Sequence, residues 1–195
     1  RLSHVKWLNR LYYADTERNG LRGAGYSRWG GWGDHRYPIN FSGDAYSNWD
    51  VLKFEVKLTQ TSGNQGCYYW AHDTGGFAGA TNPELLSRWS QFCALSAALR
   101  THAHRGEDAD RRPWIWGDIP TSSMRNSYRF RSEIMPYVYT TVRKTHDTML
   151  PFNRCMFVDY PLEKNAYNRY GQFLLGDLLL AAPITSPGKG VNFTA

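Results

Sequence analysis

Apolar positions recur along this chain at two different periods. Val5, Leu8, Leu11 and Tyr12 share one face of a 3.6-residue repeat, which predicts a helix over residues 3–19, stopped by Asn19-Gly20. Residues 23–28 then read as a short strand broken by glycine, and a glycine-rich loop spans residues 29–34 with Trp29 and Trp32. Pro38, Ile39 and Phe41 suit a second brief extended run, after which Gly43 lets the backbone turn sharply. Ser47-Asn48-Trp49-Asp50 has the Ser-x-x-Asp form of a helix start, with Ser47 as cap and Trp49, Leu52 and Val56 carrying the helix to about residue 58.

A loop over residues 61–66 precedes a buried-type strand, Cys67-Tyr68-Tyr69-Trp70, which delivers His72-Asp73 ahead of Gly75-Gly76. Asn82-Pro83-Glu84 starts the next helix with a cap, a proline in the first turn and an acid near the positive dipole end. Leu85, Leu86, Trp89, Phe92 and Cys93 form its apolar face, and Leu99-Arg100-Thr101-His102 is the next strand end. A long helix is predicted over residues 123–148, kinked by Pro136 and ended before Pro151. Residues 177–184 read as one continuous apolar strand, followed by a turn over residues 186–190.

Strands that alternate with helices favour parallel βα units, so the fold class is α/β. Polar groups close three of the strands: Asp44, Asp73 and His102, each 29 residues after the one before. That spacing is the length of one βα unit, and no sequence repeat accompanies it. The pattern changes late in the chain, which divides it into residues 1–169 and an incomplete β-rich part over residues 170–195.

Composition narrows the function. The chain of 195 residues is 42% hydrophobic and 21% charged, which suits a packed core and excludes a disordered chain. Its net charge of +6 invites a nucleic-acid reading, but 17 acids are interspersed among 23 bases and no basic run is long enough to form a stripe. Nucleic acid is therefore not an expected partner. Cys67, Cys93 and Cys155 are widely spaced, without the pattern of a disulfide framework or a zinc site. No stretch approaches the roughly 20 apolar residues of a membrane span. The first residues, Arg1-Leu2-Ser3-His4, carry no initiator Met or leader pattern and read as an excerpt of a longer chain, so the compartment stays open. The 8 Trp, 13 Tyr and 9 Phe suit sugar-binding clefts and large cores alike.

Asp44 is the centre of the candidate chemistry. A carboxylate at the mouth of a strand and ahead of a helix is where an α/β barrel places its reacting groups, while a turn residue after glycine is the plainer reading. His102-x-His104 offers two metal ligands without a third at fitting spacing. Glu107, Asp108 and Asp110 lack the remaining ligands of a calcium loop and read as a solvated acidic loop. Asn40-Phe41-Ser42 and Asn192-Phe193-Thr194 match the glycosylation pattern, the first too close to Asp44 for modification to be expected.

Several segments together resemble glycoside hydrolase family 31. They are Tyr26-Ser27-Arg28, Phe41-Ser42-Gly43-Asp44 with Trp49, and the run from Tyr69-Trp70-Ala71-His72-Asp73 through Gly75-Gly76-Phe77. The helix from Glu84 to Phe92, Arg100-Thr101-His102, Ile134-Met135-Pro136-Tyr137 and Gly176-Asp177-Leu178-Leu179 continue the resemblance, in order and at fitting spacing. It implies the second half of a (β/α)8 TIM barrel followed by the first strands of a β-sandwich. It implies retaining hydrolysis of α-glycosides, with an oligosaccharide or glycoside as substrate and neither metal nor cofactor. Asp44 matches the general acid/base, which protonates the leaving oxygen and then deprotonates the attacking water. Arg28, Asp73 and His102 match residues that grip sugar hydroxyls; for Arg28 and Asp73 a salt bridge at the barrel mouth is the competing role. Phe41 and Phe77 face either sugar or core. Arg88 and Arg100 read as supporting or ion-pair residues, and Trp89 as core.

The resemblance also places the nucleophilic Asp on an earlier barrel strand, upstream of this sequence. The remainder of the parent barrel is thus the expected partner, and these 195 residues alone are expected to be inactive and poorly stable. Two functional classes stay open: the catalytic half of an α-glucosidase-like enzyme, or a non-hydrolytic carbohydrate-binding relative. Transglycosylation and α-xylosidase activity are variants of the first.

Overall fold

A computed structural model describes residues 4–28 and 31–188. The expectations for Ser3, Trp29, Gly30, Lys189, Gly190 and the Asn192 sequon lie outside the described residues. The first helix, α1 (His4–Thr16), forms as its periodicity predicts. Its apolar face stays uncovered, with Leu8, Leu11 and Tyr12 about half exposed or more.

Three two-residue strands then pair in parallel: β1 (Ser27–Arg28), β2 (Asn40–Phe41) and β3 (Trp70–Ala71), in the order β1-β2-β3. They are shorter than the extended runs in the sequence. Ile39, just before β2, takes a positive φ of 73°, a costly conformation for a β-branched residue, while its carbonyl accepts from the Ser27 N–H at 3.1 Å. A 3-10 turn, Asp34–Arg36, sits between β1 and β2, and a parallel bridge from Asp73 to Arg100 extends the array beyond β3.

Helix α2 (Trp49–Ser62) connects β2 to β3. Its cap is Asn48, whose side chain accepts from the Val51 N–H at 2.8 Å; Ser47 was the expected cap. Ser47 lies one residue earlier, its N–H donated to the Ala78 carbonyl at 2.8 Å. The helix also outlasts the apolar pattern, running through Thr61 and Ser62 where a loop was expected. The Thr61 and Ser62 hydroxyls donate back to Lys57 and Thr59 carbonyls, and Gln60 reaches the Tyr170 carbonyl at 2.8 Å. A 3-10 turn, Gly63–Gln65, closes it.

Helix α3 (Pro83–Cys93) starts as predicted, with Asn82 accepting from the Leu85 N–H at 2.9 Å. Residues 101–117 form a long connection with 3-10 turns at Glu107–Ala109 and Pro113–Trp116. The single long helix predicted beyond it is two helices, α4 (Asp118–Glu133) and α5 (Met135–Thr148). Pro136 has no N–H to offer the Ser132 carbonyl, so the chain breaks at Ile134 and restarts with the proline in the first turn.

A second, antiparallel sheet contains β4 (Asn153–Arg154), β5 (Phe173–Leu175) and β6 (Leu179–Ala181) in that order. The short helix α6 (Met156–Asp159) and a 3-10 segment, Lys164–Asn168, lie between β4 and β5. The apolar run over residues 177–184 is therefore only partly strand. Residues 176–178 form a hairpin turn, with Gly176 at φ 57° and Leu178 80% exposed at the tip. One apolar cluster joins the parts: Leu52 and Val56 from α2, Leu85, Trp89 and Phe92 from α3, Val138 from α5, and Phe152, Phe173 and Leu175 beside the second sheet. Burying each such large side chain contributes about 1.5–3 kcal/mol, and this packing fixes the strand ends above it.

Candidate active site

Asp44 follows β2 by way of Ser42 and Gly43. Gly43 adopts φ +87°, and a Cβ there would lie 3.1 Å from Arg28 Nη1. The missing side chain lets the guanidinium lie against the turn, where Arg28 Nη2 meets Asp44 Oδ1 at 2.5 Å. Both side chains are about half exposed, so this pair faces the open end of the parallel strands and solvent reaches it.

Asp73 follows β3 and differs sharply. Its side chain has no exposed surface, and Oδ1 accepts from Arg100 Nε at 2.9 Å and Nη2 at 2.6 Å. Oδ2 is buried without a hydrogen-bond partner. Burial raises the Asp73 pKa; Arg100 and His102 oppose the rise and Asp44 adds to it. Asp44, Asp73 and His102 thus lie within electrostatic reach of one another. The Arg100 guanidinium also lies over the rings of Tyr26 and Phe41, at 4.5 and 4.7 Å from their centroids. Arg100 is thus the ion-pair residue expected, and it locks Phe41 and Tyr26 together beneath the site.

His102 is exposed and its ring lies 5.4 Å from that of Phe77, which is half-buried. His104 approaches Phe77 from 6.0 Å. Asp110 is held by Arg112, at 2.9 Å from Nε to Oδ2, and Asp108 lies 3.9 Å from His104. Asn40 is buried, and its amide donates to Asp34 Oδ2 at 2.8 Å, so the first glycosylation pattern is inaccessible. Trp89 is fully buried, as expected.

Two buried ionisable residues beside the site had no role assigned from the sequence. His72 lies in the core, stacked on Phe92 at 4.4 Å. The Trp89 indole N–H donates to its Nδ1 at 3.3 Å, so Nε2 carries the proton and donates to Ser96 Oγ at 3.0 Å. Burial holds His72 neutral, with a pKa lowered to about 3. This network fixes the strand end from which Asp73 projects.

Glu55 on α2 is the other, 1% exposed and with its Oε2 lacking a partner. Burial pushes its carboxyl up to about 7; the nearby Ser42 hydroxyl, short of hydrogen-bond geometry, opposes the rise and Asp73 adds to it. The folded protein therefore keeps a proton that the unfolded chain releases between about pH 4.5 and 7, and stability falls as pH rises through that window. Glu55→Gln in the intact protein is expected to stabilise by about 2–3 kcal/mol at pH 8 and by nearly nothing at pH 4. Urea unfolding at both pH values checks this, and an equal effect at both contradicts it.

The family described as glycosyl hydrolases family 31, TIM-barrel domain, matches residues 4–141, and the family 31 C-terminal domain matches residues 149–194. Alpha-glucosidase 2 of Bacillus thermoamyloliquefaciens is 35% identical over 169 residues, covering 87% of this chain and 21% of that protein. An alpha-xylosidase of Emericella nidulans is 32% identical over 161 residues, 83% of this chain and 20% of that protein. Among solved structures, a cycloalternan-degrading enzyme from Trueperella pyogenes, in complex with a covalent intermediate, superposes with a TM-score of 0.87 at 26% identity. That match covers 93% of this chain and 26% of the other. The chain spans about a fifth of the length of the curated relatives it matches. On the extent of these matches, the chain belongs to glycosyl hydrolase family 31.

Proposed function

We propose that this chain is part of a retaining α-glycoside hydrolase acting on α-linked glucosides or related oligosaccharides by double displacement. The observation that carries the reading is the half-exposed Asp44 carboxylate at the open end of the parallel strands, held by Arg28. In the first step Asp44 protonates the glycosidic oxygen as the bond to the sugar breaks and a carboxylate attacks the anomeric carbon. In the second, Asp44 takes a proton from the water that displaces that carboxylate. Arg28 and His102 grip sugar hydroxyls, and Phe77 and Phe41 shape the apolar wall. Asp73, with no exposed surface, serves the site through Arg100, which it orients.

The attacking carboxylate belongs to a part of the barrel outside this chain, about 5–5.5 Å from Asp44 in the assembled site. Three observations support that partition: the chain spans a fifth of its relatives' length, β1 is paired on one side only among the described residues, and the apolar face of α1 is exposed. The chain then supplies the second half of a (β/α)8 barrel and the first strands of a sandwich. The covalent intermediate in the Trueperella pyogenes neighbour supports double displacement, and the names of the relatives support glucose before xylose as the sugar.

The intact protein, followed by proton NMR on an α-glucoside, is expected to release the α-anomer first. Release of the β-anomer first contradicts retention. Binding without turnover favours the non-hydrolytic relative instead.

A further inference from the structure

Arg111 is a buried cation that the mechanism above leaves unused. It projects from the long connection after Arg100 and is 3% exposed. Its Nε donates to the Gly76 carbonyl at 2.9 Å and its Nη2 to the Gly79 carbonyl at 2.8 Å. Nη1 reaches the Asp110 carbonyl at a long 3.5 Å. Asp108 and Asp110, on the same connection, both favour the Arg111 charge, but the Asp110 carboxylate takes its hydrogen bonds from Arg112. Burial lowers the Arg111 pKa, so a charge is kept here at a cost, with main-chain carbonyls as its hydrogen-bond partners.

The turn that Arg111 grips is pressed between two surfaces. A Cβ on Gly75 would meet Arg111 Cδ at 2.7 Å, and a Cβ on Gly76 would meet the Ser47 backbone at 2.9 Å. On that second side the turn is laced to the segment just after Asp44. The Phe77 and Ala78 N–H groups both donate to the Ala45 carbonyl, at 2.7 and 3.1 Å, and the Ser47 N–H donates to the Ala78 carbonyl at 2.8 Å. The main chain on the C-terminal side of Asp44 therefore hangs on residues 76–78, and Arg111 braces those residues from behind.

We propose that Arg111 is a positioning residue that sets the reach of Asp44 toward the leaving-group oxygen, acting through the turn at residues 75–79. This inference rests on the assignment of Asp44 as proton donor. It separates Arg111 from a residue that only stabilises the fold, because a displaced proton donor harms only those reactions that need the proton. Bond cleavage in α-glucosyl fluoride needs no protonation of the leaving group, whereas cleavage of maltose does.

The test uses the intact protein and its Arg111→Ala and Arg111→Lys variants, comparing kcat/KM for maltose and for α-glucosyl fluoride. The value for maltose is expected to fall about 100-fold in Arg111→Ala, as for an angstrom-scale misplacement, with fluoride changed only a few-fold. Arg111→Lys keeps the charge but loses the fork that spans two carbonyls, and should show the same selective loss at about 10-fold. Thermal melting establishes that each variant is folded; if the alanine variant is not, the lysine variant decides. Equal losses on both substrates, or no loss on either, overturn the proposal while leaving the glycosidase reading intact. A wild-type protein that turns over neither substrate overturns that reading and the inference with it.

Discussion

Asp44→Asn in the intact protein is expected to lower kcat/KM for maltose by about 1,000-fold, within the range for loss of a general acid. The effect on α-glucosyl fluoride should be less than about 10-fold in kcat/KM, because that first step requires no proton transfer to the leaving group. The second step still requires a base, so the glycosyl intermediate should accumulate and kcat should fall. Added azide, an anionic nucleophile that needs no deprotonation, is then expected to restore turnover and to yield α-glucosyl azide. Steady-state kinetics with both substrates and product analysis check all of this. Equal losses on maltose and fluoride would mean that Asp44 is a turn residue and not the proton donor.

The largest effect on stability is expected at Arg100. Replacing it with alanine leaves the Asp73 carboxylate without exposed surface and without either of its two hydrogen bonds. Removing one partner of such a pair costs about 3 kcal/mol at neutral pH, the lower end of the buried-pair range because Arg100 is itself a third exposed. Burial already raises the Asp73 pKa, and loss of the cation removes the main opposing influence. In the variant the folded state therefore keeps the Asp73 proton to higher pH than the unfolded chain does. The destabilisation should be small near pH 4 and grow as pH rises above the unfolded value. Urea unfolding of wild type, Arg100→Ala, Asp73→Asn and the double variant at pH 5 and pH 8 tests it. The double variant should be more stable than Arg100→Ala alone at pH 8, and strict additivity of the two single changes contradicts the pairing.

Features whose chemistry is local were legible in the sequence. Asn82-Pro83-Glu84 announces the start of α3 because cap, proline and acid all act within one turn. Gly43-Asp44 announces a turn with an exposed acid, and the structure places Asp44 so. Features that depend on distant partners were not. Ser47 has the better local signature for a cap, yet it is Asn48 that accepts from the Val51 N–H, while the Ser47 N–H goes to Ala78, 31 residues away. The apolar run after Asp177 reads as uninterrupted strand, and only its pairing with Phe173–Leu175 reveals the turn at Gly176. The burial of Asp73 was equally hidden, since an acid at a strand end looks the same whether it faces substrate or an arginine from the next unit. Arg111 carries no motif because its partners are carbonyl groups, which every residue possesses. The apolar face of α1 was legible but its exposure was not, because periodicity tells which side is apolar and not what covers it.

As proposed, Asp44 is the acid/base half of a double-displacement site whose nucleophile lies outside these 195 residues. The most direct test is covalent trapping of the intact enzyme with 5-fluoro-α-glucosyl fluoride, followed by proteolysis and mass spectrometry. The expected result is a single fluoroglucosyl label on a carboxylate in a peptide outside residues 1–195, with Asp44 unmodified. A label on Asp44 itself, or turnover without any trapped intermediate and with inversion at the anomeric carbon, would contradict the account.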